Sequence, residues 1–127
     1  MNTNTNPAAA SPSSVHDDLC AGRNPNITAL QVVADDQHSY LLPYAQFLYA
    51  EMVANPALEK EVDAPPQKLL ICFAQAEVTV LGCGLIWLQR WIQQYELGFI
   101  KPADRRYAAA LKTHVASATV TFTKDTV

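Results

Sequence analysis

The most regular hydrophobic pattern in the chain lies between Lys68 and Gly82, where two β-rich runs flank a short break. Read as a hairpin turning at Gln75-Ala76, residues 68–74 and 77–82 pair Phe73 with Val78, Ile71 with Val80 and Leu69 with Gly82. Side chains alternate between faces along a strand, so Leu69, Ile71, Phe73, Val78 and Val80 share one face and form core. The opposite face carries Leu70, Cys72 and Leu81 beside Thr79, so it is not wholly polar either.

The period then changes. At 100° per residue, Leu85, Leu88, Trp91, Ile92 and Tyr95 make one apolar stripe, with Gln89, Arg90, Gln93, Gln94 and Glu96 opposite. This predicts a helix over 85–97, introduced by Gly82 and Gly84 and capped by Gly98. Trp87, Trp91 and Tyr95 follow one another at i, i+4 and i+8 along the edge of that stripe. The apolar arc is wider than a helix lying on one sheet buries, and large aromatics at such a margin are enriched in contact surfaces.

Weaker patterns complete the chain. Short apolar runs at 30–34 and 40–42 read as strands. Residues 44–54 contain helix formers, but Leu42 is a poor cap, and a strand from Phe47 to Val53 after a Pro-Tyr turn is preferred. Residues 55–67 form a linker with Pro56, Pro65 and Pro66 around Glu59, Glu61 and Asp63. Asp104 is placed to cap a second helix over 104–113. Residues 115–124 alternate Ala116, Ala118, Val120 and Phe122 against Ser117, Thr119, Thr121 and Thr123, as a half-buried strand does. Residues 1–26 have almost no periodic apolar positions and read as a disordered tail whose removal costs little stability. The fold class expected for 27–127 is a single α+β domain: an antiparallel sheet of about five or six strands with the 85–97 helix packed on a face. In its order of elements the chain resembles pleckstrin-homology-like domains, which implies a small antiparallel sheet closed by one helix and carries no function.

Composition narrows the classes. About 100 residues suffice for one core and not for two, and half of the chain is hydrophobic while 17% is charged. No apolar run approaches the roughly 20 residues of a membrane-spanning helix, and no basic stretch followed by an apolar one opens the sequence. Three cysteines without CxxC spacing argue against a disulfide framework or a zinc site. Reduced thiols and a cytoplasmic location are the expectation. The net charge of -3 is unevenly spread: residues 1–89 carry three Lys/Arg against nine Asp/Glu, and residues 90–127 carry six against three. Overall acidity disfavours nucleic acid.

Candidate chemistry is sparse. His38 stands near Asp35 and Asp36, types that a carboxylate-oriented base uses, but also those of an ordinary polar turn. His16, Asp17, Asp18 and Cys20 have metal-binding atoms at close spacing, within the tail. Cys72 and Cys83 flank the hairpin and read as small buried hydrophobes with no local histidine to activate them; Cys20 is the thiol expected to react faster. Gly82-Cys83-Gly84 before a helix lacks the remaining residues of a phosphate-binding motif. Lys101, Arg105, Arg106 and Lys112 gather around Tyr107 as a basic cluster suited to an acidic protein or an anionic ligand, or simply to solvent. No catalytic residue, metal ligand or cofactor is assigned. The expected function is a non-enzymatic interaction domain that forms a homo-oligomer, with Trp87, Trp91, Tyr95, Arg105 and Arg106 as its surface. The alternative is a small apolar ligand held among Tyr40, Tyr44, Trp87 and Trp91, in a ligand-binding protein or minor enzyme.

Overall fold

The computed structural model describes residues 19–123. These run β1 (Ala21–Arg23), β2 (Ala29–Val33), β3 (Ser39–Pro43), β4 (Phe47–Ala54), β5 (Gln67–Phe73), β6 (Ala76–Cys83), α1 (Ile86–Gln93), β7 (Leu97–Ile100) and β8 (His114–Phe122). The class is α+β, but the strands divide into two four-stranded sheets where one of five or six was expected. The first has the order β1-β7-β2-β3 and the second β4-β5-β6-β8. Nor is the first sheet wholly antiparallel, because β7 lies parallel to β2. The sequence pattern gives no sign of β1 and β7, which are only three and four residues long.

The first sheet also moves the boundary of the folded part. Ala21 pairs with Ile100 and Arg23 with Leu97, and Cys20 and Ala21 are buried. Residues 19–26 therefore belong to the domain, while 1–18, with His16, Asp17 and Asp18, lie outside the described residues.

The hairpin forms with its turn at Ala74-Gln75, which pairs Phe73 with Ala76, Ile71 with Val78 and Leu69 with Val80. This differs from the expected register by two residues. Because strand faces repeat every two residues, the slip leaves the core face intact, and Leu69, Ile71, Phe73, Val78 and Val80 are all buried. They close one core with Leu30, Val32 and Leu42 of the first sheet and with Leu85, Leu88 and Ile92 around α1.

Strand β4 forms as preferred, after a single 3-10 turn over Tyr44–Gln46. The helix is shorter than expected. It ends at Gln93, and Gly98 lies within β7 and caps nothing. Tyr95 takes the left-handed conformation instead, with φ 58. Its amide donates to Ile92 and that of Glu96 to Trp91, the paired bonds of a Schellman ending. The ring packs on Tyr44 and Phe47, with centroids 5.2 and 6.1 Å away, which offsets the strain of that backbone. The second predicted helix reduces to one 3-10 turn over Arg105–Tyr107, though Asp104 caps it through the Arg106 amide.

In β8 the expected alternation fails at both ends. The pairing skips from Leu81–Ser117 to Gly82–Val115, leaving Ala116 as an extra residue. Such a bulge reverses the faces beyond it: Val115 and Ala118 are buried and Ala116 is not. Phe122 is half exposed, with its ring 5.4 Å from Tyr40.

Polar contacts from one turn also tie the two sheets together. Asp35, in the β2–β3 turn, accepts from the Ala118 amide and the Ser117 hydroxyl, while its own amide donates to Ala118 O. Asp35→Ala removes both side-chain bonds and should lower stability by about 1 kcal/mol. An unchanged urea midpoint would show that backbone contacts alone hold this seam.

Candidate functional site

Among the described residues strand β4 is hydrogen-bonded only to β5 and forms the edge of the second sheet. Its eight residues, Phe-Leu-Tyr-Ala-Glu-Met-Val-Ala, include one charge and no proline. Ala50 and Met52 pack toward the core, while Leu48, Tyr49 and Val53 are 62%, 53% and 42% exposed. Along this strand α1 leaves a groove of about 440 Å³, lined by Phe47, Tyr49 and Ala50 on one side and by Ile86, Gln89, Arg90 and Gln93 on the other. Tyr95, packed edge-to-face with Phe47, extends the apolar surface at one end.

The three aromatics singled out on the helix do different things. Trp91 packs against the core. Trp87 is half-buried beneath two cations, Arg90 at 5.1 Å and Lys112 at 4.6 Å from its ring centroid, so its face is occupied by its own chain. Tyr95 alone presents a largely open ring. Tyr40 touches Phe122 and His38, whereas Tyr44 is buried with its hydroxyl donating to Leu97 O at 2.6 Å. Burial raises the Tyr44 phenol far above its usual range. The groove described above is not lined by Tyr40, Tyr44, Trp87 or Trp91, the four side chains from which the sequence suggested an aromatic pocket.

The basic residues also separate. Lys112 lies over Trp87. Arg106 lies 4.9 Å from the Tyr107 ring centroid and donates to the Tyr107 hydroxyl. Lys101 lines a shallow cavity beside Val33, Asp35 and Gln37. The Arg105 guanidinium has no hydrogen bond or ion pair among the described residues and lines a cavity of about 190 Å³ with Asp63, Cys83 and His114.

Sequence reasoning missed His114, which carried no local signal. It is 3% exposed and opposes Cys83 directly across β6 and β8. Its Nε2 lies 2.9 Å from Ala103 O and 3.1 Å from Asp104 O. Two acceptors at one nitrogen place the proton there and leave Nδ1 with a free lone pair.

The three thiols differ in access. Cys20 is fully buried. Burial pushes its pKa up, against a hydrogen bond from the Val115 amide that lowers it, while nearby Cys83 adds to the rise. Burial at the head of β1 removes the ground for expecting Cys20 to react faster than Cys72. Cys72 is also buried, 4.0 Å from Glu77 Oε2, and a hydrogen bond to it raises the Tyr49 phenol. Only Cys83 is partly open.

His38 has a turn's chemistry: its amide donates to Asp36, and its Nδ1 stands 3.4 Å from the same carboxylate. Among the described residues no three His, Cys, Asp or Glu side chains cluster as metal ligands, and no helix is long and apolar enough to cross a membrane. No protein-family model matches the chain, and neither a curated protein nor a solved structure matches it. The resemblance in element order to pleckstrin-homology-like domains therefore carries no argument.

Proposed function

We propose that this chain is an interaction domain that self-associates through the free edge of β4. The supporting observation is the edge itself: an eight-residue strand whose outer side pairs with no strand among the described residues, with a single charge and three exposed large apolar side chains. Edge strands are normally blunted by lysine, proline, strong twist or a covering element. Here a bulge between Phe47 and Tyr49 is the one such device, and the strand from Tyr49 to Ala54 stays regular. A second β4, added antiparallel, satisfies the backbone groups and covers Leu48, Tyr49 and Val53.

The register follows from charge. A two-fold axis at Glu51 would oppose two carboxylates, which is destabilising across a strand pair. An axis at Ala50 sets Tyr49 opposite Glu51 of the partner subunit and avoids that contact. The groove beside α1 supports a second reading, a small apolar ligand, because 440 Å³ falls within the roughly 300–1,000 Å³ of ligand sites.

Replacing Leu48 and Val53 together with lysine tests the edge. Both side chains are exposed, so the domain should stay folded, while two added charges per strand oppose pairing. Sedimentation of the parent should show a concentration-dependent dimer and that of the double variant a folded monomer. A parent that remains monomeric at all concentrations removes the self-association reading and leaves the groove to a ligand.

A further inference from the structure

The thiol–imidazole pair beside Arg105 is independent of the β4 edge and lies on another part of the second sheet. We infer that Cys83, assisted by His114, is a nucleophilic thiol that exchanges with small carboxylate-bearing disulfides in the cavity it shares with Arg105.

The geometry carries this in three steps. Directly opposed residues on antiparallel strands hold their Cβ atoms about 4.5–5.5 Å apart and project from the same face of the sheet. Cys83 and His114 are such a pair, and both line the cavity. Next, His114 is oriented as bases are oriented in nucleophile–histidine pairs: one nitrogen is fixed by its donated bonds to Ala103 O and Asp104 O, and the other keeps its lone pair. Nδ1 has no hydrogen-bond partner among the described residues, although the side chain is almost wholly buried. Finally, Arg105 brings to the same cavity a guanidinium without a partner among the described residues, a fork suited to a carboxylate.

The exchange balances without another oxidant. The Cys83 proton passes to His114 Nδ1, and the thiolate pair forms a bond to one sulfur of the disulfide RS–SR. The S–S bond breaks toward the other sulfur, which takes the proton back from Nδ1 and leaves as RSH. Cys83 ends as Cys83–S–S–R; the disulfide is the oxidant, half of it reduced to thiol. The other ionisable groups around the pair are Asp63 on the linker, Asp104, whose side chain caps the Arg106 amide, and Cys20, behind the Val115 backbone. Asp63 opposes an anion in the cavity, so Asp63→Asn should speed the reaction with a carboxylate-bearing disulfide.

The test uses the whole chain, dithiobis(nitrobenzoate) as the anionic disulfide and dithiodipyridine as the neutral one, with mass spectrometry to locate the adduct. Each rate is normalised to that of a free thiol. Cys83 should be modified first, and at pH 7 at least tenfold faster than Cys20 or Cys72. Arg105→Gln should lower the anionic-to-neutral rate ratio severalfold. His114→Gln keeps an N–H donor for the two carbonyls but no base, and should slow both reagents about tenfold. If that variant does not fold, the parent's pH–rate profile decides the point. With an imidazole base the rate levels near neutral pH; an unassisted thiol keeps rising toward its ordinary pKa of about 8.5. A profile of that ordinary kind, or a rate ratio indifferent to Arg105, overturns the proposal.

Discussion

Removing residues 1–26 should destabilise the domain by about 3 kcal/mol or more, a large share of the roughly 5–15 kcal/mol that holds a domain folded. The composition of that stretch suggests the opposite, because nothing in it alternates or recurs. Yet its last residues complete the first sheet. Deletion exposes the outer edge of β7, where Lys101 N–H donates to Cys20 O and Asn24 N–H to Glu96 O, and it breaks the Arg23–Glu96 ion pair. It also leaves a gap where Cys20 and Ala21 are buried among Leu97, Ile100 and Val115. Each lost backbone bond costs about 0.5–1.5 kcal/mol, and vacated core volume adds to that. A shorter deletion, of residues 1–18, leaves every described contact in place and separates the two contributions. Urea titration of both truncations checks this. A full 1–26 deletion with the parent's midpoint would mean that β1 is not part of the stable structure.

The same contrast marks what the sequence discloses. The central hairpin was legible because its pattern is long, and because a two-residue slip preserves which side chains face inward. Helix α1 was legible through Leu85, Leu88 and Ile92, but its end was misplaced. Gly98 is the residue a helix ending ordinarily uses, and here Tyr95 takes that role because Tyr44 and Phe47 provide its ring with a seat. Strands β1 and β7 are too short to show a period, and their pairing spans most of the chain. The reversal in β8 depends on a bulge that composition does not signal. Of the candidate surface, the aromatics were identified while their roles were not: what covers Trp87 is Lys112, and residue spacing alone does not bring these two together. Cys83 and His114 lie 31 positions apart and meet only through strand pairing, which is why no local motif revealed them.

Gly84→Ala should cost about 2–5 kcal/mol and is the single substitution expected to damage the fold most. Two penalties act at this position. Gly84 has φ +65, and left-handed backbone costs an L-residue about 1–2 kcal/mol. A Cβ there would also stand 2.0 Å from Lys112 O and 3.1 Å from its carbonyl carbon, and forcing atoms into a packed site costs about 1–3 kcal/mol. Lys112 has little freedom to withdraw. The next residue, Thr113, is buried and donates its hydroxyl to Gly84 O at 2.9 Å, and β8 begins immediately after it. The Lys112 side chain is in turn held over Trp87. This close approach ties the entry of α1 to the entry of β8, so movement on either side disturbs both. Gly84→Asn separates the two penalties. Asparagine tolerates left-handed backbone better than alanine does, so if conformation were the whole cost it should recover much of the loss. Its Cβ, however, meets the same Lys112 carbonyl, and the expected result is no recovery. Thermal melts of the two variants, followed by circular dichroism, decide the point. A Gly84→Asn protein melting near the parent would show that Lys112 does not crowd this turn.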